Sequence, residues 1–115
     1  MYVTKTKPSL YSIKANDLNI RTLVEREIKR LGVNADLNLI DVSEVTDMSC
    51  LFYELQFNGE ISEWNVENVK NMNYMFAHST FNRDISNWNV KKCINHEFCF
   101  YDSPLEKEKD KQPEF

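Results

Sequence analysis

From residue 37 onward, two kinds of apolar spacing follow one another, and the pair recurs at a fixed interval. Residues 37–60, LNLIDVSEVTDMSCLFYELQFNGE, align with 61–84, ISEWNVENVKNMNYMFAHSTFNRD, and with 85–105, ISNWNVKKCINHEFCFYDSPL. Leu37, Ile61 and Ile85 share one column, Ile40, Trp64 and Trp88 the next, and Val42, Val66 and Val90 a third. The two-residue step between the last two columns marks a short strand with those side chains turned inward. The step then lengthens to three or four residues. Val45, Met48 and Leu51/Phe52 are matched by Val69, Met72 and Met75/Phe76, then by Cys93, His96 and Cys99/Phe100. That spacing predicts a short helical segment of about two turns with one apolar face. Phe57, Phe81 and Leu105 close the copies, and Phe-Asn-Gly and Phe-Asn-Arg-Asp return the chain to the next strand.

Neither a lone strand nor a lone short helix can bury its apolar face, whereas neighbouring copies can do so together. The expected fold is therefore a two-layer α/β solenoid of three coils, 37–60, 61–84 and 85–105, whose strands form a narrow parallel sheet. Residues 1–36 are expected to cap its start. Within them Ile20, Leu23, Val24, Glu27/Ile28 and Leu31 recur at helical spacing, which predicts a helix over 19–31 begun by Asn19 and ended by Gly32. A strand is expected at Leu10–Ile13. Residues 106–115, EKEKDKQPEF, carry no apolar period and are expected as a charged, flexible tail. The third coil would then end uncovered, open to a partner or a second copy.

The run Ile61-Ser62-Glu63-Trp64-Asn65-Val66-Glu67-Asn68-Val69-Lys70-Asn71-Met72, with Met75-Phe76 and Phe81-Asn82, resembles the BspA-like leucine-rich repeat family of bacterial surface, phage and mobile-element proteins. Asp41-Val42-Ser43-Glu44-Val45-Thr46-Asp47-Met48 carries the same pattern. The resemblance spans about residues 35–105 and implies a leucine-rich-repeat-like solenoid. It also implies roles in adhesion and protein binding, with no shared catalytic residues. The sequence departs from the family in showing no export signal, and in placing Cys93, His96 and Cys99 where Val, Met and Leu or Met stand in earlier copies.

Composition narrows the functional classes. The 115 residues are 42% hydrophobic and 28% charged, with a formal net charge of −4, which describes one small globular domain. An acidic excess argues against nucleic acid as a partner, since duplex binding needs basic groups to displace counterions. No apolar run could serve as a signal peptide or span a bilayer, so the expected location is cytoplasmic and no membrane partner is expected. Three cysteines without a paired Cys/His spacing supply no zinc ligand set. Cys93, His96 and Cys99 are read as replacements for packed apolar residues. No catalytic or phosphate-binding motif is present, and two glycines are too few for a phosphate-cradling loop. No enzyme activity, metal or cofactor is expected.

The expected function is a non-catalytic protein–protein interaction module, such as a small intracellular inhibitor encoded by a phage or mobile element. A surface adhesin and a self-associating structural protein, paired through the C-terminal coil, are the alternatives. If Trp64 and Val66 point inward, Glu63, Asn65 and Glu67 point outward. With Leu39, Asp41 and Ser43 before them and Asn87, Asn89 and Lys91 after, they form the candidate binding ribbon. Tyr11, Tyr53, Tyr74 and Tyr101 are candidate aromatic anchors elsewhere, while His78 reads as an ordinary exposed side chain.

Overall fold

The computed structural model describes residues 12–115. Tyr11, and the first two positions of the strand expected at Leu10–Ile13, lie outside the described residues. The chain begins with β1 (Ile13–Lys14), then α1 (Ile20–Leu31), then β2 (Ile40–Asp41). The apolar spacing of α1 buries Ile20, Leu23 and Val24 on one face, and Gly32 at φ 99° ends it with its N–H on the Ile28 carbonyl. Asn19 makes no side-chain cap; its Oδ1 accepts instead from the Asn16 N–H. Glu27 also lies on the buried face of α1 and is closed in by Arg30 (2.6 Å) and Arg26 (3.2 Å). The Arg30 hydrogen bond, more than any other contact, holds its carboxyl below the usual carboxylate range.

Two polar clamps fix α1 and its lead-in against the first copy. Arg21 donates to the Ser49 and Cys50 carbonyls, and Asp17 accepts from the Thr46 hydroxyl and from the Thr46 and Asp47 N–H groups. The Thr46 hydroxyl is the main reason the Asp17 carboxyl ionises below its usual range. Both Asp17 and Glu27 thus have folded pKa values below their unfolded ones. Their stabilisation is complete above the ordinary carboxylate range and is lost as pH falls through it. The urea midpoint is expected to hold from pH 8 to about pH 5 and then to drop. An Asp17→Ala protein, with a lower midpoint at neutral pH, should drop less steeply, and chemical denaturation across that range checks this.

The expected solenoid, with a strand and a helix in each of three coils, is not what the chain forms. Among the described residues there is one α-helix and one two-stranded parallel sheet, β1 beside β2 with Ile13 opposite Ile40. Residues 64–66 and 88–90 form no strand, and the segments expected as helices, 45–52, 69–76 and 93–100, are successions of turns. Both corrections have physical causes. Asp41, Asn65 and Asn89 each accept, through the side chain, the backbone N–H two residues on, and the Ile40, Trp64 and Trp88 N–H groups close turns onto Leu37, Ile61 and Ile85. These bonds are common to all three copies, and only the first copy, with β1 alongside, adds a ladder to them.

In the would-be helices and just after them, Cys50, Glu54, Tyr74, His78, Phe98 and Asp102 all hold φ between 54° and 60°. A left-handed residue at every fourth position stops helical propagation and instead suits the third position of a tight turn. The Leu51 N–H closes such a turn on Met48, Leu55 on Phe52, Met75 on Met72 and Ser79 on Phe76.

The same segments join the copies. N–H groups of Met48, Cys50, Phe52 and Glu54 donate to the carbonyls of Asn71, Asn73, Met75 and Ala77. The inward columns meet behind them. Phe76 lies between Phe52 (5.4 Å between centroids) and Phe100 (5.7 Å), and Trp64 faces Trp88 at 6.3 Å. Each indole N–H reaches back one copy, Trp64 to the Leu37 carbonyl and Trp88 to that of Ile61, so neither buried donor is left unpaired.

The segment after Leu105 also differs from the charged tail expected there. Pro104–Lys107 and Lys109–Lys111 form 3-10 turns, with Leu105 fully buried. The Lys111 carbonyl accepts from Ile85, the Gln112 amide donates to the Leu105 carbonyl, and Phe115 stacks on His96 at 4.1 Å. Backbone and amide contacts, which apolar spacing does not reveal, hold this segment over the third copy.

Candidate functional site

The ribbon positions of the second and third copies, Glu63, Asn65, Glu67, Asn87, Asn89 and Lys91, are exposed, while Trp64, Val66, Trp88 and Val90 beside them are buried. The first copy differs because β1 lies against it. Leu39, Asp41 and Ser43 are half-buried, and the Leu39 and Asp41 carbonyls accept from Ile13 and Ala15. Asp41, Asn65 and Asn89 are engaged in the turns described above. The Ser43 N–H is the main cause of the lowered Asp41 carboxyl pKa. Asn38 accepts from the Glu63 N–H, Asn68 donates to the Ser43 carbonyl, and Asn87 donates to that of Ser62. Much of this polar surface therefore serves the links within and between copies.

A second surface gathers around the left-handed residues Tyr74, His78 and Phe98. Tyr53, Tyr74, Phe98 and Tyr101 are 38%, 40%, 54% and 47% exposed. Their rings form a connected set rather than scattered singles. Tyr74 stacks on Phe98 at 5.3 Å, Tyr53 meets Tyr74 edge-on at 6.3 Å, and Phe98 meets Tyr101 edge-on at 5.7 Å. His78 sits between Tyr53 and Tyr101, with its Nδ1 2.7 Å from the Asp102 carboxylate. The sequence singles out Tyr53, Tyr74 and Tyr101 of this set and expects His78 to be exposed, as it is. It does not place Phe98 here, because that side chain's outward direction comes with a positive φ that no glycine advertises.

The cysteine and histidine columns separate. Cys93 and Cys99 are buried and Cys50 half-buried, all as free thiols, while His96 is exposed beneath Phe115. Burial pushes the Cys93 and Cys99 thiols up, Cys99 the further, which keeps them protonated and poorly nucleophilic. Among the described residues no group of three His, Cys, Asp or Glu side chains is placed to hold a metal ion. No helix among them is long and apolar enough to cross a membrane.

Sequence period, inter-copy hydrogen bonds and aligned ring columns together define a small repeat protein with a polar turn surface and an aromatic one. The chain belongs to the family described as "Mycoplasma protein of unknown function, DUF285", whose model matches residues 20–110. No curated protein and no solved structure matches it.

Proposed function

We propose that the chain is a non-catalytic protein-binding module and that Tyr53, Tyr74, His78, Phe98 and Tyr101 form its contact surface. The observation that carries this reading is the backbone of the two most telling residues. Tyr74 and Phe98 hold φ of 59° and 56°, where Gly or Asn would sit at lower cost, yet both residues stay exposed. Left-handed geometry costs a side-chain-bearing residue about 1–2 kcal/mol. A sequence that accepts that cost to keep large rings exposed has a use for them outside the fold, and connected aromatic patches are typical protein-binding anchors. The ribbon offers few such anchors, and its central Asx column already works for the turns.

The resemblance to BspA-like repeats supports the same class and adds a second reading, adhesion through this face to a partner outside the cell. The family match points to neither a phage nor an inhibitor, so the proposal remains at protein binding.

Affinity capture from an extract of the source organism tests it, with Tyr74→Gly/Phe98→Gly beside the ribbon variant Glu63→Lys/Glu67→Lys. Glycine suits the left-handed positions, so the first variant keeps the backbone while removing the rings. A partner held by wild type and the ribbon variant but weakened at least about tenfold by the aromatic variant is the expected result. The opposite pattern would place the contact on the ribbon.

A further inference from the structure

The matched positions Glu54, His78 and Asp102 carry one ionisable side chain in each copy, and all three hold left-handed φ, at 59°, 60° and 54°. Their backbones run side by side. The Glu54 N–H donates to the Ala77 carbonyl at 3.0 Å, and the His78 N–H to that of Tyr101 at 2.9 Å. All three residues are exposed. The His78 Nδ1 lies 2.7 Å from the Asp102 carboxylate, whereas the Glu54 carboxylate has no hydrogen-bond or ion-pair partner among the described residues. Glu106 adds a further carboxylate, lining one groove with Phe98, Phe100 and Tyr101. Its Oε1 accepts from the Asp102 N–H at 3.1 Å.

Tyr53 and Tyr101 precede Glu54 and Asp102 in the chain, and both rings meet the His78 imidazole edge-on. The connected rings of the aromatic face are therefore bordered by carboxylates at both ends, Glu54 in the first copy and Asp102 with Glu106 in the third. The cations beside this face are Lys109, which lines the same groove, and Arg21, whose guanidinium is taken up by the Ser49 and Cys50 carbonyls. Aromatic ring faces and carboxylates attract the same chemistry, a positive charge carried on an apolar stem. An acidic segment would meet like charge here. Because the face runs across three copies, it is wider than one side chain and suits a segment with cationic side chains at two places.

We infer that the aromatic face binds a basic segment of a partner protein, whose arginine or lysine side chains lie over the Tyr53, Tyr74, Phe98 and Tyr101 rings and end at the Glu54 and Asp102 carboxylates. This rests on the protein-binding reading and names the partner's chemistry.

Titration of the intact chain with the capped peptide GRGRGR, followed by NMR of the ring resonances, tests the inference. The peptide is expected to shift the Tyr53, Tyr74, Phe98 and Tyr101 rings saturably. Citrulline in place of arginine keeps the shape and removes the charge, and should weaken binding at least about threefold. Tyr74→Gly/Phe98→Gly and Glu54→Gln/Asp102→Asn should each do the same. Asn tolerates left-handed φ at position 102 and still offers His78 an oxygen. The ribbon variant Glu63→Gln/Glu67→Gln should bind as wild type does. The inference is overturned if no saturable ring shift appears, if the citrulline peptide or GEGEGE binds as well, or if either face variant binds as tightly as wild type. Equal weakening by the ribbon variant also overturns it, marking general attraction to an acidic chain. The protein-binding reading is judged apart. A captured partner lost with Tyr74→Gly/Phe98→Gly but indifferent to Glu54→Gln/Asp102→Asn would keep the aromatic contact surface and reject only the basic partner.

Discussion

Replacing Phe76 with Ala is expected to remove most of the stability of this protein. Phe76 is fully buried, and its ring packs against Phe52, Phe81 and Phe100 with centroids 5.4, 4.6 and 5.7 Å away. It therefore touches the core residues of all three copies. Truncating a buried Phe costs about 3–5 kcal/mol, because transfer energy is lost and the cavity collapses only in part. Against a total of about 5–15 kcal/mol for a domain of this kind, that is a large share. Urea denaturation followed by tryptophan fluorescence should show a much lower midpoint with an unchanged slope. Phe100→Ala, at the end of the same column and 8% exposed, should cost visibly less.

Gly59→Ala is the second substitution expected to act strongly, for a steric reason. An added Cβ would lie 1.8 Å from the Ala35 carbonyl oxygen and 2.6 Å from Cε1 of Phe57. That carbonyl is backbone, fixed as the acceptor of the Glu60 N–H at 3.0 Å in the link between the chain before the first copy and that copy's last residue. It cannot turn aside without breaking the Asp36–Glu60 bridge. The expected cost is about 3 kcal/mol or more, at the upper end for overpacking. Gly32→Ala gives the comparison. Gly32 has positive φ but nothing within 4 Å of an added Cβ, so only backbone strain of about 1–2 kcal/mol is expected there. If the two variants unfolded at the same urea concentration, the close approach at Gly59 would not be the governing contact.

The period alone showed most of the inward side chains, though His96, expected among them, is exposed. Val45, Met48, Leu51 and Phe52 and their counterparts through Phe76 are buried as the columns require. The backbone that carries them was not readable. A three-to-four-residue spacing belongs to a helix, but it belongs equally to a chain of turns with a left-handed residue every fourth position. Here Cys50, Glu54, Tyr74, His78, Phe98 and Asp102 fill those positions in place of the glycines or asparagines that would have marked them. The two-residue step from Trp to Val read as a strand. In the second and third copies it joins no ladder, because only the first copy has β1 beside it, and a missing partner strand does not alter the apolar pattern. The same blindness to backbone bonding hid the aromatic face at Phe98, and hid the folding of residues 104–112 over the third copy.

The most direct test of the account is site-specific photocrosslinking of the intact protein to its captured partner. A photoreactive phenylalanine analogue would replace Phe98 on the aromatic face in one protein and Asn89 on the ribbon in another. The aromatic-face reading predicts a crosslink from position 98 and little from position 89. A crosslink from 89 with none from 98 would contradict it and return the contact surface to the ribbon.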